Sequence, residues 1–201
     1  MFGLTPRSTG SPTELRECAR LLLDAGADLH AADKNAITPL FMAISNNRIP
    51  MARFLVERGA DINAKDWYGR TPLFAAVEIR NVDLHYVTFE HMLTADDRAK
   101  ALDFIRLLLE KGADPNIRVT EVPPLRSYMY LLGGSLAWVD FTGQTPFLRA
   151  ALAGDVAAMR LLLEHGADPN LPTRAGTTPL MAVMSPKRDD QARTVRGIRI
   201  Q

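Results

Sequence analysis

Chemistry in this sequence would have to come from few residues: four histidines, one cysteine and a scatter of carboxylates. His85 and His91 stand six residues apart, not at the i, i+4 spacing that puts two imidazoles on one helix face around a metal ion. His165 directly precedes Gly166, where a cation suits the negative end of a helix, and His30 has no ligating neighbour in sequence. Glu57, Glu110 and Glu164 each stand two residues before a glycine, a regular placement that reads as solvated helix surface. Gly133-Gly134-Ser135 is rich in glycine but lacks the lysine and spacing of a phosphate-binding loop, so it reads as a turn. Cys18 is the one candidate nucleophile, and its reading depends on the helix that carries it. No catalytic constellation emerges, and neither a cofactor nor a metal site is expected; the chain reads as a non-enzyme.

Elements must therefore be sought that do something other than chemistry. Of 201 residues, 47% are hydrophobic and 23% charged, enough apolar material for a substantial core and too much for global disorder. Basic and acidic residues number 24 and 23, so no electrostatic drive toward nucleic acid exists. A single cysteine excludes an internal disulfide framework. No run approaches the roughly 18 apolar residues of a membrane-spanning helix, so no membrane insertion is expected. Residues 1–10 carry one arginine and no apolar run, hence no visible signal peptide. The default compartment is cytoplasmic, or secreted or periplasmic where a signal peptide precedes Met1.

Two short motifs recur in fixed phase. Gly26-Ala27-Asp28 returns as Gly59-Ala60-Asp61, Gly112-Ala113-Asp114 and Gly166-Ala167-Asp168. Thr38-Pro39-Leu40 returns as Thr71-Pro72-Leu73, Thr145-Pro146-Phe147 and Thr178-Pro179-Leu180. Thr to Gly spans 21 residues and Gly to Thr spans 12, a period of 33. Thr5-Pro6 stands 21 residues before Gly26, where a degenerate first unit should open. Threonine can cap the first helical turn, and the following proline loses nothing by lacking an amide hydrogen there. Small residues follow on that helix (Ala43, Ala76, Ala150) and allow close approach. A second helix ends in an apolar triplet: Leu21-Leu22-Leu23, Phe54-Leu55-Val56, Leu107-Leu108-Leu109 or Leu161-Leu162-Leu163. Glycine then stops the helix, and Asp61 with Asn63, or Asp168 with Asn170, favours the turn into a hairpin loop. Burying one such leucine is worth roughly 1.5–3 kcal/mol, and one unit cannot cover its own face, so the units must stack.

The two motifs in one phase resemble ankyrin repeats, and the resemblance covers about residues 3–184. It implies an all-α solenoid of stacked antiparallel helix pairs with hairpin loops, about three full and two partial repeats. The repeats fall at 3–32, 33–65, 66–118, 140–172 and, in part, 173–184. The third carries an insertion at about 80–100 between its helices, with Asp96 or Asp97 as candidate cap of a lengthened second helix. A second insertion, about 119–139, enlarges the finger leading to the fourth repeat. These insertions and the run 140–155 are similar to a bacterial subfamily of long ankyrin arrays of unassigned function. The resemblance also places Cys18 at a buried aliphatic position of a second helix, a core cysteine rather than a nucleophile. Where the family's Thr-Pro-Leu-His motif has histidine bonded to threonine, this chain has Phe41, Phe74, Leu148 and Met181, so apolar packing takes over. Residues 7–12 make a poor first helix, and residues 185–201, with five basic and two acidic side chains, read as a disordered tail. Neither end has a polar capping repeat, so apolar surface is expected there.

Ankyrin arrays usually hold partners along hairpin tips and first helices. By motif phase the tip positions are Lys34, Asn35, Ile37, Lys65, Trp67, Tyr68, Arg70, Phe141, Thr142 and Gln144. The first-helix positions are Ser45, Asn46, Glu78, Ile79, Leu152 and Ala153. Trp67 and Tyr68 form a hot-spot pair at one tip, and Tyr128, Tyr130 and Trp138 extend the aromatic supply in the enlarged finger, either binding or folding down over it. The expected partner is a protein, not nucleic acid, and the chain is expected to be monomeric unless exposed array ends associate. The alternative is a regulatory or targeting fragment of a longer ankyrin protein.

Overall fold

Threonine before proline starts four of the helices. Thr38, Thr71, Thr145 and Thr178 each accept a hydrogen bond at Oγ1 from the amide three residues on, at 3.2–3.3 Å. The computed structural model describes residues 11–81, 94–122 and 139–184. Among them stand eight helices and no strand: α1 (Pro12–Asp24), α2 (Pro39–Ser45), α3 (Ile49–Glu57), α4 (Pro72–Arg80), α5 (Ala95–Glu110), α6 (Pro146–Ala153), α7 (Val156–Glu164) and α8 (Pro179–Val183). The even-numbered inner helices α2, α4, α6 and α8 pack in succession; the outer helices α1, α3, α5 and α7 do the same, and α2/α3, α4/α5 and α6/α7 form pairs. Tyr128, Tyr130, Trp138, His85, His91, residues 133–135 and the tail 185–201 lie outside the described residues.

The core runs through this double row. Leu40, Ile44, Leu73, Phe104, Ile105, Leu108 and Leu162 have no exposed surface, and Ala43, Ala76 and Ala150 are buried between inner helices. The middle residue of the apolar triplet, Leu55, Leu108 or Leu162, is buried in three units. The first triplet departs from the expected burial: Leu22 is 62% exposed, Leu21 is exposed, and α1 has no buried residue. Cys18 on the same helix is also exposed, contrary to the core position that the motif phase assigned it. Both follow from the place of α1 at the edge of the outer row, where α3 is its principal neighbour.

Helix α5 is 16 residues long, against nine for α3 and α7. Thr94, not Asp96 or Asp97, is its cap: the Asp97 amide donates to Thr94 Oγ1 (3.0 Å) and the Thr94 amide to Asp97 Oδ2 (3.0 Å). Asp97 is thus the reciprocal partner in a capping box, and the Thr94 hydrogen bonds hold its carboxyl below the usual aspartate range.

Two kinds of polar contact and one close backbone approach lock successive units. Asn63 donates from Nδ2 to the Gly112 carbonyl (3.4 Å) and accepts the Asp114 amide (3.1 Å); Asn116 does the same to Gly166 (3.0 Å) and Asp168 (2.8 Å). By sequence Asn63 has only a turn-forming role, and Asn116 is not singled out. Asp155 caps α7 through the Ala158 amide and also receives Arg80 Nε (2.7 Å) and Asn81 Nδ2 (3.0 Å) from the end of α4. Burial opposes the charge on Asp155, but these donors together keep its carboxyl below the ordinary aspartate range. Gly143 provides the third contact. Its φ is +83°, and a Cβ there would stand 2.6 Å from the Arg174 amide nitrogen and 3.0 Å from the Thr173 carbonyl carbon. Gly143→Ala is therefore expected to destabilise the array by about 2–4 kcal/mol, combining left-handed strain with overpacking. Gly112→Ala, at φ +90° with nothing within 4 Å, carries the strain alone and should lose less in a urea titration.

Candidate functional site

Between the helix pairs the chain makes short fingers, each closed at its base by the backbone. The amide of Asp33 donates to the Ile37 carbonyl, Asp66 to Arg70, Val119 to Gln144 and Thr173 to Thr177, at 2.9–3.2 Å. Successive fingers share a bond in the same register, and the second and third are joined by a further one from the Glu121 amide to the Tyr68 carbonyl (3.3 Å). Trp67 N–H donates to the Asn35 carbonyl (2.9 Å), Thr120 to Tyr68 (2.8 Å) and Arg174 to Thr142 (2.9 Å). In the third finger the pairing of Val119 with Gln144 and of Gly143 with Val119 keeps the base of the finger closed, and residues 123–138 connect its two sides. An aspartate holds each of the first three tips, and Thr173 Oγ1, accepting the Thr177 amide (3.1 Å), holds the fourth. Asp33 Oδ1 accepts the amides of Asn35 (2.8 Å) and Ile37 (2.9 Å), and the Ile37 bond leads in depressing the Asp33 pKa. Asp66 Oδ1 accepts those of Tyr68 (3.0 Å) and Arg70 (2.8 Å), and Asp140 Oδ1 that of Thr142 (2.9 Å).

The second finger presents the aromatic pair. Trp67 is 68% exposed, while Tyr68 is half-buried with the Arg70 guanidinium 5.5 Å from its ring centroid. Arg70 also lies over Phe41 at 5.0 Å and bonds Asp66 Oδ2 through Nε (2.8 Å), so the Tyr68 ring rests on a fixed cation. Trp67 and Tyr68, with Thr120, Glu121 and Val122, line an open groove of about 430 Å³. The last three were missed from sequence, although Thr120 stands eight residues after Gly112 as Trp67 does after Gly59.

The other sequence-derived positions divide sharply. Lys34, Asn46 and Lys65 are exposed; Asn35, Ile37, Ser45 and Leu152 are half-buried, and Ala153 is exposed. Ile37 packs against the main core and Leu152 against the Val139, Leu148 and Ala182 cluster, while Asn46 lines a groove beside α1. Arg70, Glu78, Ile79, Phe141, Thr142 and Gln144 are buried and so act inside the array. Phe141 stacks edge-on to Phe74 with centroids 5.8 Å apart and packs with Val119. Gln144 Nε2 donates to the Asp140 carbonyl (3.1 Å), and Ile79 belongs to the main core. Glu78, 1% exposed, faces Arg70 at 3.7 Å and Arg149 at 4.0 Å. The described residues thus gather a strip of Trp67, Tyr68, Thr120, Glu121 and Val122, tied to the first finger through the Asn35 carbonyl, with Arg70 and Glu78 buried.

Catalytic groupings are absent from that strip. Among the described residues no three His, Cys, Asp or Glu side chains come together as a metal site. His165, at the end of α7, is engaged with its own helix: Nδ1 lies 2.9 Å from the Leu161 carbonyl oxygen. No helix of the described residues is long and apolar enough to cross a membrane.

Comparison with known families agrees with this architecture. A family model for ankyrin repeats in three copies matches residues 12–87. A model for the single ankyrin repeat matches residues 68–119 and 142–174. No curated protein matches the chain.

Proposed function

The chain belongs to the ankyrin-repeat family, and from that premise we propose that it binds a folded partner protein along its finger tips, with Trp67 as the central anchor. Ankyrin repeats are in general protein–protein interaction modules and typically non-catalytic. The observation that carries the reading is the exposure of Trp67 on a finger tied at both sides to its neighbours. A large ring held out on rigid backbone loses little entropy on binding, which is what makes tryptophan a hot-spot residue. Tyr68 supports it from one side and Val122 extends the apolar patch, while Lys34, Lys65 and Glu121 supply a charged rim. Ser45, Asn46 and Leu152, toward the ends of inner helices, are candidate contacts as well. Tyr128, Tyr130 and Trp138 belong in sequence to the insertion 119–139 and lie outside the described residues; we carry them as further candidate contacts. The two extra segments in the third repeat also support the likeness to a bacterial ankyrin subfamily.

Trp67→Ala combined with Tyr68→Ala tests the proposal. Loss of two adjacent anchors is expected to weaken partner capture by about 30-fold or more, the equivalent of roughly 2 kcal/mol. Affinity purification followed by mass spectrometry, run in parallel on the wild-type chain and the double variant, identifies the partner and reads the loss. Helical circular dichroism should not change, because Trp67 has little contact with the core. Equal capture by both proteins sinks the tip assignment.

A further inference from the structure

The two ends of the described array are complementary halves of one repeat. At one end stands the outer helix α1, with a groove of about 460 Å³ lying between α1, α2 and α3 and lined by Leu15, Ala19, Met42, Ala43, Met51 and Leu55. Leu22, about one helical turn beyond Ala19 on the same helix, is exposed, whereas its equivalents Leu55, Leu108 and Leu162 are all buried. At the other end stands the inner helix α8, with no outer helix of its own among the described residues. Its Leu180, Met181 and Met184 are exposed, Leu180 to 71%, although Phe147, Leu148 and Ala151 at the same positions one period earlier are buried.

The polar contacts match as well. Asn63 and Asn116 each clasp the Gly carbonyl and Asp amide of the next unit. Asn170 occupies the same position in the fourth unit, exposed, and its side chain makes no hydrogen bond among the described residues. The corresponding pair at the opposite end, the Gly26 carbonyl and the Asp28 amide, is equally unclasped among the described residues. Among the described residues the finger ladder also has two open rungs in register: the Ala175 carbonyl, equivalent to the Asn35 and Tyr68 acceptors, and the Lys34 amide, equivalent to the Trp67 and Thr120 donors.

We propose that this chain self-associates head to tail, α8 of one copy entering the α1–α2–α3 groove of a second copy to complete a repeat shared between them. Asn170 of the first copy then clasps Gly26 and Asp28 of the second, and the Lys34 amide of the second donates to Ala175 of the first. The occupant is a second copy because apolar face, asparagine clasp and finger rung all fit in one register, which no unrelated surface would reproduce. The contact is heterologous: each copy keeps one open end of each kind, so association continues into longer rows rather than closing at a dimer. It engages the first finger through the Lys34 backbone and leaves the side chains of Trp67 and Tyr68 uncovered, so its test is read apart from partner capture by that aromatic pair.

Sedimentation velocity on the full chain over a concentration series tests this. Wild-type protein is expected to show a concentration-dependent ladder of oligomers. Leu22→Glu blocks one face and the pair Leu180→Glu, Met181→Glu blocks the other; each variant alone is expected to be monomeric, with unchanged helical circular dichroism since these residues lie outside the core. Mixing the two variants restores one intact face of each kind and yields a one-to-one dimer that grows no further. Asn170→Ala, a milder change, should weaken the wild-type association about tenfold. A wild-type chain that stays monomeric at every concentration overturns the proposal. So does association that survives either face variant, or a mixture of the two that fails to pair.

Discussion

Phe104→Ala is expected to lower the unfolding free energy by about 3–5 kcal/mol, the range for emptying a fully buried phenylalanine site. Phe104 has no exposed surface and lies in the main core cluster. Its helix, α5, packs on α4 within the third unit, on α3 before it and on α7 after it. A void there weakens an intrinsic unit and both of its interfaces together. In an array whose stability is a sum of unit and nearest-neighbour contributions, a damaged central unit separates the flanking ones. The urea transition of Phe104→Ala should therefore shift to lower concentration and broaden, with the second and fourth units losing their cooperativity. Leu22→Ala is the comparison: 62% exposed on α1, it should change stability by no more than about 0.5 kcal/mol. Similar losses for both substitutions would refute the core described here.

Much of this fold was legible because the signals that start and stop its helices are local. Thr-Pro places cap and first helical residue within two positions, and the glycine after each apolar triplet marks a backbone turn that side chains resist. Two such marks in one phase fix helix pairs, order and stacking together. What the period could not reveal is which side of a helix is covered, since that depends on neighbours far along the chain. Glu78 occupies a position that reads as solvated, yet Arg70 from the preceding finger and Arg149 from α6 surround it. Phe141 sits at a tip by phase but turns inward to Phe74. Cys18 shows the converse: its position in the period is a covered one, and the edge of the outer row leaves it exposed. The asparagine clasps were hidden for a similar reason, because the turn explained Asn63 without requiring a partner some 50 residues away, and Asn116 drew no reading at all. At the candidate site, exposure of Trp67 followed from its phase, whereas the groove beside it needed the third finger to be seen closing on the second.

The buried charges of Arg70 and Glu78 lead to the second large effect. Arg70 bonds Asp66, lies 3.7 Å from Glu78 and covers the rings of Phe41 and Tyr68, all with its guanidinium about nine-tenths out of water. Arg70→Met keeps most of the apolar stem but leaves the Asp66 and Glu78 carboxylates without that cation. Breaking a buried pair from one side costs about 3–5 kcal/mol, because a charge stays in the interior with reduced compensation. Asp66 retains the Tyr68 and residue-70 amides, and Glu78 retains Arg149 at 4.0 Å, so compensation is reduced at both carboxylates rather than abolished. Glu78→Gln removes that anion while preserving shape, and it relieves in the Arg70→Met background part of what it costs in the wild type. In a double-mutant cycle by urea denaturation, the two substitutions together should then destabilise less than the sum of the singles, by more than about 0.5 kcal/mol. Simple additivity would mean that Arg70 and Glu78 do not sense each other across 3.7 Å. The same variant links stability to binding. With the cation gone from beneath Tyr68, the second finger loses the support of its aromatic pair, and partner capture should fall even at temperatures where Arg70→Met remains folded.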